Sequence, residues 1–401
     1  MKTLKSPARM AIIGALILFI VAIVEKITGA TDITSIGASG ATLRFTIPLL
    51  MAGLGGLWSE RSGVINIGLE GMMILGTWMG AYYGFKHGVW IGMLAAAIAG
   101  LFAGLFHAFL TVKVGIDQAV SGLAINLIGF GISRFLSGIF FPPLGGDKTV
   151  SPTMEAVHTY SVPVVGDFLT KLGEKKIFFI SDIADLLAGI TTDVSIFSYL
   201  FLLFVPITAW ILWRSKFGLR VRFAGENPAA AESLGINVYR MRYIAVSISG
   251  MLASLGGAYL SIVASSVYRE GQTAGRGFIG LATVIFGNWR PGGVLGGAVL
   301  FGFTDALRIR QANSVVAIVF AAGIVAVLMT LYFLLTRRVK IAVISLVVAL
   351  AAIWIHLSLK EIPQEFVIFF PNLATLLILT FFAQRLTPPA MAGAPYRRGA
   401  E

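Results

Sequence analysis

The sequence contains few of the side chains that usually carry out catalysis or hold metal ions. Its four histidines lie far apart and form no HExxH or comparable metal-binding spacing: His87, His107, His158 and His356. There is no cysteine, which excludes disulfides and thiolate metal sites. GGDKT at 145–149 lacks both the spacing and the Gly-Lys pair of a GxxxxGK(S/T) phosphate loop. We therefore predict no catalytic site, no metal site and no nucleotide-hydrolysis site in this chain.

Polar side chains inside apolar stretches are the remaining candidates for function. ERSGVINIGLEGMMILG brings Asn66 and Glu70 to or near membrane depth, and AVSGLAINLIGFG does the same for Ser121 and Asn126. A carboxylate at the centre of a membrane helix costs about 2.5–3.5 kcal/mol, so it usually faces a water-filled path or a partner. These four residues are therefore predicted to line a solute pathway.

The same residues also fit a purely structural role. Glu70 could lie near the membrane interface, paired with Arg61, and merely fix a helix end. Asn126 and Ser121 could bond a neighbouring helix, as Asn and Ser often do in membrane proteins.

A third candidate is the polar stretch GENPAAAESLG at 225–235. Asn227 is a favoured N-cap, Pro228 fits the first helical position, alanines follow, and Gly235 supplies the left-handed residue that ends a helix. This pattern predicts a helix over 228–234, about 10 Å long. An isolated helix of that length is unstable, so either its flanking helices or a partner's groove must hold it.

Two functions fit that short helix. It could be a capped connection between two membrane helices. It could instead dock on a charged partner surface, because Glu226 and Glu232 flank the alanines and six cations frame the loop: Arg214, Lys216, Arg220, Arg222, Arg240 and Arg242.

Composition defines the elements that must position these residues. Of 401 residues, 57% are hydrophobic and 12% charged, against about 25% charged in soluble domains. Apolar segments long enough to span a bilayer recur near 10–28, 42–57, 64–84, 88–110, 118–140, 196–213, 243–265, 276–289, 292–307, 315–335, 341–359 and 365–384. We predict an all-α integral membrane protein, a polytopic bundle of about 10–12 transmembrane or half-membrane helices, some of them broken.

The net charge of +12 reflects topology rather than nucleic-acid binding. With a cytoplasmic N-terminus, the basic residues fall mainly on the inner side, and no basic stripe with interleaved aromatics is present. Both termini are then cytoplasmic, 141–195 is an extracytoplasmic loop and 214–242 is a cytoplasmic loop. The first apolar segment is expected to be retained, although a cleaved secretory signal is the alternative.

The run FGLRVRFAGENPAAAESLGINVYRMRYIAVSISGMLASLGGAYLSI at 217–262 resembles the coupling loop of permease subunits in ABC importers for ribose-type sugars, branched-chain amino acids and nucleosides. In that family a loop helix with the pattern GxNxxAAxxxGIN inserts into a cleft on the ATPase subunit. The resemblance implies that 214–242 is a coupling loop whose contacts come from Gly225, Glu226, Asn227, Pro228, Ala229, Ala230, Ala231, Glu232, Gly235, Ile236 and Asn237.

Other stretches are similar to the nucleoside branch of the family. ERSGVINIGLEGMMILG resembles its signature, where sugar permeases have a GGIDLS-like stretch, and TPPAMAGAPYRRG resembles its C-terminal ending. The run 275–310 is again like the family. Residues 311–362 depart from it and are expected to form extra helices outside the family core, within a single permease domain over 1–401.

The resemblance implies the transmembrane subunit of an ATP-driven nucleoside importer in a prokaryotic inner membrane. Its expected partners are an ABC ATPase with two nucleotide-binding domains, a second homologous permease chain, an extracytoplasmic substrate-binding protein or lipoprotein, and membrane lipid. This chain is expected to bind no cofactor, because ATP and Mg bind to the ATPase. One alternative is a ribose-type sugar permease. The other is an ion-coupled secondary transporter, in which the short helix would have no function.

Overall fold

The computed structural model describes residues 7–30, 32–307, 312–358 and 386–397. These residues are mostly helical. The helices are α1 (Pro7–Thr28), α2 (Ile36–Arg61), α3 (Leu69–His87), α4 (Val89–Ala108), α5 (Gln118–Phe140), α6 (Val165–Glu174), α7 (Ile180–Ala188), α8 (Ile196–Arg214), α9 (Lys216–Glu226), α10 (Pro228–Ser233), α11 (Val238–Tyr259), α12 (Arg276–Phe286), α13 (Pro291–Leu307), α14 (Ala312–Leu335) and α15 (Val339–Ser358). Two strands have two residues each, β1 (Thr159–Tyr160) and β2 (Val194–Ser195).

Seven segments of the described chain are long and apolar enough to cross a membrane: Ile36–Arg61, Val89–Val114, Gln118–Phe140, Ile196–Arg214, Val238–Ala264, Ser314–Leu335 and Val339–Ser358. Helices α4, α5, α14 and α15 expose many large apolar side chains, with Leu127 67% and Trp354 66% exposed. Soluble proteins rarely expose such extended apolar faces. The predicted all-α, multi-pass membrane class is therefore confirmed, while the predicted crossing at 365–384 lies outside the described residues.

The chain divides into two compact units, and the first comprises 1–42, 161–194 and 303–373. Its described helices include α1, α6, α7, α14 and α15. Helices α14 and α15 correspond to the two apolar segments predicted within 311–362. Helices α6 and α7 lie within the predicted 141–195 loop, and α6 is strongly amphipathic.

The second unit comprises 43–160, 195–302 and 374–401, and it contains all the candidate site residues. Helices α3, α4 and α11 pack together at its centre, where Trp78, Ala96, Leu252 and Tyr259 are buried. Several helices begin where the sequence supplies a cap: the Asp117 carboxylate accepts from the N–H groups of Ala119 and Val120 at 2.9 and 3.1 Å.

Candidate functional site

Non-helical backbone reaches membrane depth in the segment 62–68, between α2 and α3. Asn66 donates from Nδ2 to Oγ of Ser249, at 2.9 Å. Ser249 lies eleven residues into the span Val238–Ala264, which is about 16 Å along a span of about 40 Å. Irregular backbone is tolerated at such depth only where protein or a polar cavity satisfies its N–H and C=O groups.

A second irregular segment, 265–275, leads from the end of the same span to the start of α12. Helix α12 has 11 residues, so its length is about 16 Å, half of a membrane crossing. After it, the carbonyl of Trp289 accepts from Nε and Nη2 of Arg61, at 3.1 and 2.7 Å. Arg61 is the last residue of α2, so the end of α12 lies at the same depth as the end of α2. The start of α12 lies deeper in the membrane.

Glu70 joins the two irregular segments. One carboxylate oxygen accepts from the N–H of Gly275 at 2.9 Å, and the other accepts from the N–H of Gly277 at 2.6 Å. These are N–H groups at the start of α12 that have no partner within the helix, and the helix dipole favours a negative charge there. Glu70 is 7% exposed. The alternative prediction paired Glu70 with Arg61. It is wrong, because Arg61 forms its ion pair with Glu226.

The two asparagines bind the backbone of the same interruption. Oδ1 of Asn66 accepts from the N–H of Gly68 at 3.0 Å. Asn126, on α5, accepts from the N–H of Gly71 at 2.7 Å and donates to the carbonyl of Ile67 at 3.1 Å. Both side chains therefore supply the hydrogen bonds that a continuous helix would have made for itself.

Ser121 completes the set through a histidine. Its hydroxyl lies 2.9 Å from Nδ1 of His107, whose Nε2 lies 3.3 Å from the carbonyl of Ile65. The N–H of Ile65 donates to Oε1 of Gln118 at 2.7 Å. His107 is fully buried and serves as an interhelical hydrogen-bonding residue.

The structure thus brings all four predicted pathway residues together around one interruption, and their contact with a solute stays a prediction. The sequence interpretation missed Gln118 and Ser249, which bind the interruption from distant parts of the chain. Their types were visible, but no local pattern indicated which backbone groups they would meet.

A polar cluster in 265–275 was also missed. Glu270 lies 3.6 Å from Arg134 of α5 through one carboxylate oxygen, and its other oxygen is buried without a hydrogen-bond partner among the described residues. Nε2 of Gln272 is likewise buried and unpartnered in the described part of the chain. Buried polar groups are normally satisfied, so these atoms are candidates for contact with a polar molecule. The run YREGQTAGRG, polar and glycine-rich between two apolar helices, was the available signal.

Helix α10 confirms the local prediction nearly residue for residue. Oδ1 of Asn227 accepts from the N–H of Ala230 at 3.0 Å, and Pro228 is the first helical residue. Gly235 has φ +75°, and its N–H donates to the carbonyl of Glu232 at 2.8 Å, while Ile236 donates to Ala231 at 3.0 Å. This pair of bonds is the Schellman motif that ends helices at a left-handed glycine.

The rest of the predicted coupling set shapes the two junctions of α10. Asn237 accepts from the N–H of Arg240 at 2.9 Å and caps α11. A Cβ on Gly225 would lie 2.4 Å from the carbonyl oxygen of Arg61, so only glycine allows α9 to approach α2 this closely. Arg61 and Glu226 form an ion pair at 3.5 Å.

One face of α10 packs inward and the other is open. Pro228 and Ala231 are buried, Ala229 and Ser233 are exposed, and Leu234 is 73% exposed. A groove of about 900 Å³ adjoins this surface, lined by residues that include Lys113, Pro228 and Tyr396. The helix is held by its own chain, including residues 386–397, which the sequence interpretation did not connect with it.

Comparisons with known proteins agree with this architecture. Residues 39–334 match the family model described as the permease component of branched-chain amino acid transport systems. The match includes α14, whereas α15 lies beyond it. The chain is 34% identical to the guanosine ABC transporter permease protein NupQ of Bacillus subtilis, over 90% of this chain and 96% of the relative.

Two further relatives are similar over most of their length. The putative glucose ABC transporter permease protein TsgC13 of Haloferax volcanii is 36% identical, covering 69% of this chain and 78% of the relative. The nucleoside ABC transporter permease protein NupC of Lactococcus lactis is 32% identical, covering 67% and 80%. A second permease from each of these three organisms matches at 23–24% identity. No solved structure matches the chain.

Proposed function

The chain belongs to the family of branched-chain amino acid transport system permease components, and on this premise we propose that it is the transmembrane subunit of an ATP-driven nucleoside importer. The observation that carries the proposal is α10, a preformed helix with an open apolar face on a chain without a phosphate loop. Relatives named for guanosine and nucleoside transport support the nucleoside as solute.

Helix α10 is the proposed contact with the ATPase, which binds the ATP and Mg. Ala230 and Leu234 are four residues apart and so lie on one side of the helix. Because the caps and the Schellman motif come from this chain, the helix need not be ordered by the partner. The adjoining groove leaves room for a segment of the ATPase beside Pro228 and Tyr396.

The solute pathway is proposed to pass where the two irregular segments meet, near Glu70. Half-length helices and unwound backbone are the usual construction of solute sites in transporters. Asn66, Glu70, Ser121 and Asn126 hold this region, and we add Glu270 and Gln272 because each has a buried atom without a described partner. An extracytoplasmic binding protein delivers the solute in this scheme.

A second, homologous permease chain is the proposed partner across the pathway. Each of three organisms has a pair of related permeases, one 32–36% and one 23–24% identical to this chain, which favours two different chains over two copies of one. We place the assembly in the prokaryotic inner membrane with both termini cytoplasmic. The contact of residues 386–397 with α10 supports a C-terminus on the side of the ATPase.

A simple sugar is the second candidate solute, favoured by the 36% identity to a putative glucose permease. Uptake of radiolabelled guanosine, uridine, ribose and glucose, in cells with and without this chain, separates the candidates. We expect nucleoside uptake to be lost on deletion, and lost again when ATP is depleted while the ion gradient is kept. Uptake that survives ATP depletion but collapses with the ion gradient would identify a secondary transporter.

A further inference from the structure

Residues 386–397, which we call the C-terminal tail, contact three separate regions of the second unit. Thr387 donates to Oδ1 of Asn288 from its N–H at 2.8 Å and from its hydroxyl at 3.0 Å. The N–H of Met391 donates to the carbonyl of Gly225 at 3.0 Å. The N–H of Gly393 donates to the carbonyl of Gly63 at 3.2 Å.

The tail also holds Glu226, at the end of α9, and Glu232, in the last turn of α10. The N–H of Ala390 donates to Oε2 of Glu226 at 3.1 Å, and the hydroxyl of Tyr396 donates to Glu232. The tail is therefore bonded through carboxylates to α10 and to the end of the preceding helix, and charge-assisted bonds of this kind are stronger than neutral ones.

Beneath the tail lies a buried cation. Arg242 is 2% exposed, and its Nε and Nη2 have no hydrogen-bond partner among the described residues. The ring of Tyr396 lies 5.6 Å from the guanidinium carbon, within the range of a cation–π contact. Displacing Tyr396 would remove this aromatic face from the guanidinium, so the cation–π contact favours a tail that stays in place when α10 moves.

The three contacted regions are the ones that must move together if α10 drives transport. Gly63 lies in the segment 62–68, which leads into α3 and Glu70. Asn288 follows α12, whose first N–H groups Glu70 holds. The tail thus connects α10 directly to the segment 62–68, and it connects α10 through α12 to the segment 265–275.

From these contacts we infer that the tail is a coupling element that transmits displacement of α10 to the segments 62–68 and 265–275, and that Tyr396 is its positioning residue. The inference rests on the proposed function, since it requires an ATPase that acts on α10. It differs from a purely structural role of the tail, which would hold α10 in place without affecting how much solute each ATP moves.

The test is Tyr396→Phe in the full complex of permease chains, ATPase and binding protein, reconstituted in liposomes. This variant removes the hydroxyl that binds Glu232 and keeps the ring over Arg242. We expect guanosine transported per ATP hydrolysed to fall at least threefold, with unchanged ATPase co-purification and only the small drop in the unfolding midpoint expected from the loss of one hydrogen bond. Tyr332→Phe, at an exposed tyrosine of α14, is the matched control and should leave the ratio unchanged.

A second variant tests the other end of the tail. Asn288 has φ +48°, which glycine adopts freely, so Asn288→Gly removes the acceptor for Thr387 without backbone strain. It should also lower the ratio of transport to hydrolysis. Tyr396→Phe and Glu232→Gln should be non-additive, because both alter one bond.

The outcomes separate the inference from the proposed function. A ratio within twofold of the wild type in Tyr396→Phe overturns the inference, and so does loss of the ATPase from the purified complex, which would make the tail part of the docking surface. Uptake that is independent of ATP in the wild-type complex overturns the proposed function itself, and with it the inference.

Discussion

The segment 62–70 and the helix α10 are both short polar interruptions of an apolar chain, yet they are built in opposite ways. In 62–70, Asn66 and Glu70 are turned inward: Asn66 binds an irregular backbone N–H, and Glu70 binds N–H groups at the start of α12. In α10, Asn227 binds the helix it begins, and the opposite face is open to a partner. The difference lies in depth, because water can satisfy backbone groups at α10 and cannot do so inside the membrane.

This comparison shows that a polar residue at membrane depth must satisfy backbone hydrogen bonds, whether or not it also takes part in transport. The same residue type, asparagine, binds backbone N–H groups in both regions. Breaking the buried region should therefore reduce stability and transport together. Breaking the open face of α10 should reduce transport alone.

The largest effect is expected for Glu70→Ala. It leaves the buried N–H group of Gly277 and the partly buried N–H group of Gly275 without an acceptor, at a cost of about 1–3 kcal/mol for the buried group and less for the other. Nucleoside uptake should fall to background, and the midpoint of thermal unfolding in detergent should drop. Glu70→Gln, which keeps one acceptor oxygen, should lie between, and Glu155→Ala, at an exposed carboxylate, should match the wild type.

Two results would change this interpretation. Normal uptake by Glu70→Ala would remove Glu70 from the pathway. Lost uptake with an unchanged unfolding midpoint would mean that the carboxylate acts on the solute and contributes little to the start of α12.

The second effect is expected for Ala230→Arg. Ala230 is half-buried on the face that includes Leu234, so a long cation there should block docking while leaving the fold intact. We expect uptake at background, loss of ATPase co-purification and an unchanged unfolding midpoint. Thr336→Arg adds the same charge at an exposed position after α14 and serves as the control. Normal coupling in Ala230→Arg would remove α10 from the docking surface.

A smaller effect is expected for Asn227→Ala, which removes the cap of a six-residue helix. Loss of an N-cap costs about 1 kcal/mol, equivalent to about a fivefold change in the population of the helix. Uptake should fall by up to that factor at limiting ATPase and be restored in Asn227→Asp, whose carboxylate accepts the same bond. Equal uptake by the alanine and aspartate variants would show that the cap is not needed once the tail holds α10.

The contrast between the regions also shows what the sequence could predict. The bounds and caps of α10 follow from residues within ten positions of one another, so Asn227, Pro228 and Gly235 predict them correctly. The partners of Glu70 are more than 200 residues away, at Gly275 and Gly277. No spacing rule reports such a contact.

The tail illustrates the same limit. Its resemblance to a family ending was visible in the sequence, but the bond from Tyr396 to Glu232 joins positions 164 apart. Local chemistry predicted that something must hold a helix as short as α10. Only the packed structure identifies the flanking helices and the tail together as the support.

The smallest predicted effect is a pH dependence of stability that comes from Tyr396 in the C-terminal tail. Burial, followed by the bond to Glu232 and its charge, raises the pKa of Tyr396 to about 12, while Arg242 acts in the opposite direction. An unfolded tyrosine titrates near pH 10, so between pH 10 and 12 the unfolded chain releases a proton that the folded chain keeps, and a rising pH lowers the free energy of unfolding.

The stability that comes from this shift is thus complete below pH 10. The difference in the free energy of unfolding between the wild type and Tyr396→Phe should be constant from pH 6 to 9 and shrink above pH 10. Because Tyr396 is partly exposed and solvent screens the interaction, the change should not exceed about 1 kcal/mol. Chemical denaturation of both chains at matched pH values measures it. A difference that already varies between pH 6 and 9 would mean that a group other than the phenol controls the stability of the tail.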